Sequence, residues 1–189
     1  MDLDKLEAGF RQVMEGLGLN PEDPHLKDTP RKTAQAWYEE ICAGLGEPEL
    51  SLKVYPIEEG QHTGLISLSG IPVKSLCAHH LLPFVGHATV AYLPGSYYCG
   101  LSALSRVVNH FARRPQLQEF LTHQTAQCLE AHLQPRGVGV VVRASHYCME
   151  MRGVNHGGVM TTSAMLGALR DDAALRSDLM ALAQSPAEG

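Results

Sequence analysis

The chain has 189 residues, of which 44% are hydrophobic and 19% charged, a balance typical of a globular domain with a substantial core. Its formal net charge of -5 argues against a general nucleic-acid binder, because such proteins carry a basic face. No apolar run approaches the roughly 18 residues that a membrane span needs, and the N-terminus lacks the basic start of a signal peptide. We therefore expect a cytoplasmic protein with no nucleic-acid partner and no membrane partner.

The N-terminal part of the chain predicts two helices. Residues 2–17 place apolar side chains on one helical face, and Gly18 can end this helix. A second helix begins at Asp28-Thr29-Pro30, where we expect Thr29 to be the N-cap and Pro30 the first helical residue. This helix is expected to end near Gly44.

From about Val54 onward the pattern alternates between strands and helices. In chain order we predict strands at 65–68 and 87–93, helices from 100 and at 116–133, strands at 138–142 and 159–165, and a helix at 171–184. The apolar residues expected to be buried in the helix 116–133 are Leu117, Phe120, Leu121, Cys128 and Leu129. Two helices between two hairpins predict an α+β fold.

Five cysteines are an odd number, and in a reducing compartment they do not indicate a disulfide framework. Cys77 and Cys148 stand beside histidines. Cys42, Cys99 and Cys128 do not, and we expect them to be small buried apolar residues.

Two short clusters combine thiols with imidazoles at the spacing of metal ligands: Cys77-Ala78-His79-His80 and His146-Tyr147-Cys148. Thiolate and imidazole are the ligands that zinc prefers. Because alternate residues of a strand face the same side, the strand that begins at 138 is expected to direct His146 and Cys148 toward one point. The alternative is that the cysteines are core thiols and the histidines satisfied polar residues; two clusters in one core favour the metal.

The number of ligands decides what such a metal does. Two cysteines and one histidine leave a position for water, as in catalytic zinc sites, whereas a fourth ligand from a spare histidine would make the site structural. Zinc lowers the pKa of bound water to about 7. A histidine that is not a ligand can then move protons near neutral pH. The pattern indicates hydrolytic attack on an electrophilic carbon.

Several motifs resemble those of GTP cyclohydrolase I. They run in order through roughly residues 20 to 180, with compatible spacings. The motifs are Asp28-Thr29-Pro30, residues 77–84 (Cys-Ala-His-His-Leu-Leu-Pro-Phe), Gly100-Leu101-Ser102, residues 113–119 (Arg-Arg-Pro-Gln-Leu-Gln-Glu), residues 146–154 (His-Tyr-Cys-Met-Glu-Met-Arg-Gly-Val) and residues 162–167 (Thr-Ser-Ala-Met-Leu-Gly).

The resemblance implies a tunnelling fold (T-fold), with a four-stranded antiparallel sheet and helices on one side. Residues 1–50 would form an N-terminal helical segment and residues 51–189 the T-fold catalytic domain. Pentamers would stack into a homodecamer. Zinc would be bound by Cys77, His80 and Cys148, at sites shared between neighbouring subunits.

The resemblance also implies a reaction. A zinc-activated water attacks C8 of the guanine of GTP, the imidazole ring opens and formate leaves, and the ribose then recloses onto the base as 7,8-dihydroneopterin triphosphate, a precursor in pterin and tetrahydrofolate biosynthesis. In this comparison His146 protonates the purine ring nitrogen, His79 assists proton transfer, and Ser102 serves the later sugar steps.

The substrate contacts follow partly from chemistry. Guanine presents N1–H and an exocyclic amine, and the carboxylate of Glu119 can accept from both, whereas adenine would leave it unpaired. Gln118 is expected to support the same edge. Arg106, Arg152 and Lys32 are the expected phosphate contacts, since a guanidinium offers forked donors.

Four positions depart from the family pattern. Ala78 replaces a glutamate, Ala103 and Gln35 each replace a lysine, and Lys32 replaces an arginine. Losing two charge-assisted contacts of about 1.5–3 kcal/mol each would weaken triphosphate binding by roughly two to four powers of ten. We expect Arg31 to compensate in part.

These departures keep three alternatives open. One is a divergent paralogue that acts on a less phosphorylated or modified guanine nucleotide or nucleoside. A second is an assembly that binds guanine nucleotides or pterins without turnover. A third is a structural zinc protein, which chelation would unfold.

Overall fold

The computed structural model describes residues 1–47, 50–58 and 64–184. Its strands are β1 (Val54–Pro56), β2 (Ile66–Cys77), β3 (Pro83–Leu93), β4 (Tyr97–Cys99), β5 (Pro115–Gln116), β6 (Gly137–His146) and β7 (Val159–Gly167). Its α-helices are α1 (Leu3–Gly16), α2 (Thr29–Ala36), α3 (Leu101–Ala112), α4 (Gln118–Leu133), α5 (Tyr147–Glu150), α6 (Ala168–Asp171) and α7 (Ala173–Gln184). None of the helices in these ranges is long and apolar enough to cross a membrane.

The N-terminal segment is a pair of helices, as predicted. The α1 helix begins after Asp2, whose carboxylate accepts a hydrogen bond of 3.1 Å from the backbone N–H of Lys5. It packs on the second helix through an edge-on contact between Phe10 and Trp37, with ring centroids 5.3 Å apart. The N-cap of α2 is Asp28 rather than Thr29, so the expected capping residue was wrong by one position.

Four long strands form an antiparallel sheet in the order β2-β3-β6-β7, which confirms the α+β fold and the sheet expected of a tunnelling fold. A fifth, two-residue strand adds at one edge, where β5 pairs in parallel with Leu76 and Cys77. This pairing explains why α4 begins at Gln118 and not at Gln116: the backbone of residues 115 and 116 is engaged with β2. β1 and β4 form a separate two-stranded sheet.

The main core lies between one face of the sheet and the helices α3 and α4. Strand residues such as Val90 and Val140 are fully buried against them. The next residues along these strands, Ala91 and Val141, face the other side and pack against Leu179 of α7. The expectation of helices on one side therefore holds for α3 and α4, whereas α7 covers part of the opposite face.

The α4 helix buries only part of the face that was predicted. Leu121 and Leu129 are fully buried as expected, whereas Phe120 is 57% exposed, and Thr122 and Thr125 are 1% exposed. Each threonine hydroxyl donates to the carbonyl four residues earlier, at 2.7 and 2.8 Å respectively, which satisfies it inside the core. Because these threonines can be buried, the apolar pattern alone defined the helix face incompletely.

The N-terminal segment is tied to the end of α3. The Arg114 guanidinium donates to the carbonyls of Gly44 at 2.7 Å and His110 at 2.8 Å. A Cβ on Gly44 would lie 2.6 Å from the His110 carbonyl oxygen, so only glycine permits this approach. The Ser75 hydroxyl donates to the Arg114 carbonyl at 3.2 Å, which links the junction to β2 shortly before Cys77.

Candidate metal centre and active site

Cys77, His80 and Cys148 converge at one end of the main sheet. Their candidate ligand atoms all lie within 4.8 Å of one another. Within the described residues, no other three histidine, cysteine, aspartate or glutamate side chains come together in this way. Cys77 is buried, Cys148 is half-buried and His80 is exposed. The grouping brings together the three residues that the sequence singled out as metal ligands.

A tight turn after β2 positions Cys77 and His80. The Cys77 N–H donates to the Leu82 carbonyl at 2.8 Å, and the Cys77 carbonyl accepts from the N–H groups of His80 and Leu81 at 3.3 and 2.8 Å. Leu81 has a φ of 53°, a left-handed conformation that is uncommon for a leucine. The turn therefore folds back on Cys77 and places His80 next to it.

Cys148 reaches the group by a route that the sequence did not predict. The β6 strand ends at His146, which pairs with Phe84 of β3, and the chain then turns into the short helix α5. Cys148 lies on this helical turn, so strand alternation is the wrong reason for its position. The change of direction after His146 brings the thiol beside Cys77.

The donor set fits a zinc ion. Burial and the adjacent Cys77 thiol raise the pKa of Cys148, and Arg152 partly opposes this rise. Two thiols held close together are stabilised by a cation, which deprotonates them on binding. Two thiolates and one imidazole form a set used by catalytic zinc.

Arg152 lies at this same end of the sheet. Its Nη1 is 2.7 Å from Nε2 of His80, and since a guanidinium only donates, the imidazole nitrogen accepts. The contact links the loop that follows α5 to the turn that carries His80.

His146 is held beside the metal group by two contacts. Its ring stacks on that of Phe84, with centroids 4.7 Å apart and planes 10° from parallel. Its Nε2 lies 2.8 Å from Oε1 of Gln118. Burial lowers the pKa of His146, and the carboxylates of Glu119 and Glu150 oppose this shift. His79 is exposed, with its ring 6.3 Å from that of His80.

Gln118 does not face solvent. It is 1% exposed, and its amide nitrogen bonds to the carbonyls of Val142 and Met160, each at 3.0 Å. The sequence interpretation placed this side chain on the guanine edge, whereas the structure places it inside the protein, between β6, β7 and His146. Its partners Val142, Met160 and Thr162 lie far along the chain on β6 and β7, so no local sequence signal marks this burial.

Glu119, the next residue, faces outward from the first turn of α4. With His123 it lines a cavity of about 370 Å³ whose remaining wall is residues 162–166 of β7. Its carboxylate is close enough to His146 to affect the pKa of that ring. Glu119 is thus an exposed carboxylate within electrostatic range of His146, the candidate proton-transfer residue.

Ser102 and Arg106 both lie on α3, and both are exposed. Ser102 is in the first turn, about 15 Å along the helix from the end that leads to β5 and Cys77, whereas Arg106 is in the middle of the helix. The preceding strand β4 lies at the far end of the sheet, where the Cys99 N–H donates to the Tyr92 hydroxyl at 3.4 Å. Ser102 therefore lies at the end of α3 that is remote from Cys77.

The basic residues of the N-terminal segment are also apart from the metal group. Lys32 is exposed on α2 and pairs with Asp28 at 3.5 Å. Arg31 points toward α1, where it pairs with Glu7 at 2.9 Å and Asp4 at 3.4 Å. The expectation that Arg31 compensates for missing phosphate contacts is therefore not supported, because its guanidinium is already engaged. Ala103 is 2% exposed, within the main core.

Comparisons with known proteins identify relatives along nearly the whole chain. The sequence model of the family described as GTP cyclohydrolase I matches residues 6–184. The chain is 44% identical to GTP cyclohydrolase 1 of Nitrosospira multiformis, over 98% of this chain and 99% of that protein. It is 47% identical to GTP cyclohydrolase 1 of Carboxydothermus hydrogenoformans, over 98% of each. Among solved structures, an apo archaeosine synthase QueF-Like covers 55% of this chain and 96% of its own, with 16% identity and a TM-score of 0.44.

Proposed function

Because the chain belongs to the GTP cyclohydrolase I family, we propose that it opens the imidazole ring of GTP by hydrolysis, releases formate and forms 7,8-dihydroneopterin triphosphate. The observation that carries this proposal is the convergence of Cys77, His80 and Cys148 within 4.8 Å, next to His146. The product would enter pterin and tetrahydrofolate biosynthesis, and we propose that the enzyme works in the cytoplasm.

Zinc is the metal that this donor set fits best. Cys77, His80 and Cys148 would hold it and leave one position open. When bound there, zinc supplies a water molecule that is ionised near neutral pH and can attack C8 of the guanine. Of the two thiols, Cys77 is buried and Cys148 half-buried, which limits the access of solvent to the sulfur ligands.

The protein side chains around the metal would select and orient the base. Glu119 would accept hydrogen bonds from N1–H and the exocyclic amine of guanine, and its place beside the 370 Å³ cavity and near His146 supports this role. His146 would exchange a proton with the purine ring nitrogen. His79, exposed next to His80, would assist proton transfer with solvent.

The phosphate and sugar contacts would come from more than one copy of the chain. Ser102 lies at the end of α3 that is remote from Cys77, and we propose that Ser102 and Arg106 contribute to the site of a neighbouring subunit. Arg152, beside His80, would contribute a phosphate contact from the metal side, and Lys32 one from the N-terminal segment.

The edges of the sheet support an oligomer. Among the described strands, β7 is paired on one side only, and the outer edge of β2 is paired only at Leu76 and Cys77. Unpaired strand edges are templates for pairing with another chain. Phe120, 57% exposed beside Glu119, adds an apolar contact. We propose the homodecamer of two stacked pentamers that the family resemblance implies.

The reaction is tested by product analysis. Zinc-loaded protein is incubated with GTP, formate is measured enzymatically and the pterin by fluorescence and mass spectrometry. We expect one formate for each pterin formed. A folded, zinc-loaded protein that binds GTP without releasing formate would instead be a binding assembly, and the proposal would be wrong.

A second candidate is a preference for guanine nucleotides with fewer phosphates. It is favoured by the loss of two basic residues at Gln35 and Ala103, and by the engagement of Arg31 with α1. Comparing kcat/KM for GTP, GDP, GMP and guanosine tests it. Near-equal values for GTP and GDP would support this candidate, and a strong preference for GTP would exclude it.

A further inference from the structure

The turn that carries the candidate ligands Cys77 and His80, the metal turn (residues 77–82), is held from outside by β5. This strand pairs in parallel with the end of β2, where Cys77 lies opposite Gln116. The backbone N–H of Ala78, the next residue of the turn, donates to the Gln116 carbonyl at 3.0 Å. The position of β5 therefore sets the position of the metal turn.

A strand of two residues needs anchors outside itself, because so short a pairing is not stable alone. In the part of the chain that the structure describes, β5 pairs with β2 only. The Gln116 side chain is 7% exposed and donates from its amide nitrogen to Oε1 of Gln124 at 2.8 Å. On the other side of the strand, the Arg114 guanidinium bonds to the carbonyls of Gly44 and His110. These two side chains anchor β5 from both ends.

One nitrogen of Arg114 joins two distant parts of the chain. Nη2 carries two protons, and the Gly44 carbonyl at 2.7 Å and the His110 carbonyl at 2.8 Å accept one each. Gly44 belongs to the N-terminal segment, and His110 to the last turn of α3. The Gly44 N–H in turn donates to the Arg113 carbonyl at 2.9 Å. The N-terminal segment is thereby fixed to the residues that lead into β5.

The Arg114 side chain is a poor source of stability in itself. Its Nε atom is buried, and no atom of the described ranges forms a hydrogen bond with it. A buried donor without a partner costs free energy. Burial also lowers the pKa of Arg114, and the carboxylate of Glu47 opposes this shift. The gain from this arginine therefore lies in the position that it gives to β5.

We propose that Arg114 is a positioning residue of the metal centre. It fixes β5 between the N-terminal segment and α3, and β5 fixes the metal turn and with it the separation of Cys77 and His80. The N-terminal segment thus acts on the metal group through one guanidinium. This role rests on the proposed function only in that the group binds zinc, and it does not depend on the turnover of GTP.

The zinc affinity, measured by competition with a chromophoric chelator, tests this role. We predict that Arg114→Met weakens zinc binding about 10- to 100-fold, as loss of a residue that supports metal ligands does. Arg114→Lys should be impaired less, because its ammonium keeps N–H groups for both carbonyls. Arg113→Met is the matched control, since it removes an exposed guanidinium one residue away, and it should change the affinity by less than about threefold.

The variants are compared at a temperature at which circular dichroism shows each of them folded, so that lost stability is not mistaken for lost affinity. Cobalt in place of zinc adds a spectroscopic readout of ligand geometry. We predict a changed cobalt spectrum in Arg114→Met and an unchanged one in Arg113→Met. A zinc affinity of Arg114→Met within about threefold of the unsubstituted protein overturns the proposal, as does a lysine variant as impaired as the methionine variant. An unsubstituted protein that binds no zinc would instead contradict the metal centre itself.

Gly44→Ala tests the same connection with Arg114 in place. A Cβ on Gly44 would lie 2.6 Å from the His110 carbonyl oxygen and 2.9 Å from that of Arg113, so the N-terminal segment would have to move away from α3. We predict weaker zinc binding, as in Arg114→Met. Gly46→Ala is the matched control, because a Cβ there meets its nearest neighbour at an ordinary 3.7 Å. Equal zinc affinities in the two folded glycine variants would overturn the proposal.

Discussion

The two ends of the main sheet are built in different ways. One end contains the last residues of β2 and β6. Backbone turns and a buried hydrogen-bond network bring Cys77, His146 and Cys148 together there. Ser102 and Arg106 stand exposed on α3, with Ser102 toward the other end. We propose that ring opening uses the metal end of one chain, whereas the contacts to sugar and phosphate come from another.

The departures from the family pattern are also distributed unequally between the metal group and the expected phosphate contacts. Two of the lost charges, at Gln35 and Ala103, belong to the phosphate contacts, and the proposed metal ligands are intact. Ala78 does lie in the metal turn, but the contact that the turn uses is its backbone N–H, which donates to the Gln116 carbonyl at 3.0 Å. A glutamate is not needed there for the turn to form.

The largest effect is expected from Cys148→Ser, which removes a metal ligand. Since a bound metal contributes several kcal/mol to charge stabilisation, we expect activity to fall about 10³-fold or more, together with the zinc content. The measurements are turnover and metal analysis of the purified protein. Cys128→Ser is the control, because Cys128 packs against the main core from α4, with its Sγ 3.7 Å from Nδ1 of His132, and is not one of the three grouped ligands. Zinc content that survives Cys148→Ser would contradict the ligand assignment.

Mixing two inactive variants probes the division between the two ends. Cys148→Ser damages the metal end and Arg106→Ala the phosphate end. Suppose that each site combines the metal end of one chain with Arg106 of another. In a random mixture of the two variants, about a quarter of the sites then have both an intact metal end and an intact Arg106. The assay is turnover of mixed assemblies isolated through two different tags. No recovery in an assembly that contains both chains would mean that each chain builds its own site.

A smaller effect is expected from Glu119→Ala. Losing two hydrogen bonds to a charged group, each at the lower end of its range (about 1.5 kcal/mol), should lower kcat/KM for GTP about 100-fold through KM, while zinc stays bound. Steady-state kinetics and metal analysis of the same sample measure both. Glu130→Ala changes an exposed carboxylate on the same helix and should leave kinetics unchanged. Equal losses in the two variants would remove Glu119 from the site.

The smallest expected effect is a loss of stability, and it tests how tightly β3 packs against β6 near the metal group. A Cβ on Gly86 would lie 1.9 Å from the Arg143 carbonyl oxygen, so β3 and β6 would have to separate just before His146. We expect Gly86→Ala to lower the free energy of unfolding by about 1–3 kcal/mol. Gly9→Ala, in α1 with open space around it, should raise it by up to about 1 kcal/mol. Chemical denaturation measures both, and an unchanged Gly86→Ala would show that this end is loosely packed.

Sequence reasoning found the metal group but not all of its construction. Cys77, His80 and Cys148 were identifiable because thiol and imidazole at close spacing have few other uses. The turn into α5 was not, since nothing in Tyr147-Cys148-Met149-Glu150 distinguishes a helical turn from a continued strand. The lengths of β2 and β3 were predicted only in part, because residues outside the apolar runs 65–68 and 87–93 pair as well.

The buried polar residues were the main source of error. Gln118 and Thr122 look like surface residues of a helix, and Phe120 looks like a core residue, because polarity alone is a poor guide when a hydrogen-bond partner is supplied by another strand. Those partners, the carbonyl of Val142 and the hydroxyl of Thr162, are 24 and 44 residues away from Gln118. Such long-range pairs are fixed by the fold and have no local signal.

The central claim is that the group formed by Cys77, His80 and Cys148 binds the zinc that catalysis needs. The most direct test is to remove metal with a chelator, follow the fold by circular dichroism, and titrate zinc back while formate release is measured. We predict that the stripped protein stays folded and inactive, and that activity rises linearly to a plateau at about one zinc per chain. Unfolding on chelation would indicate a structural metal, and full activity without zinc would contradict the account.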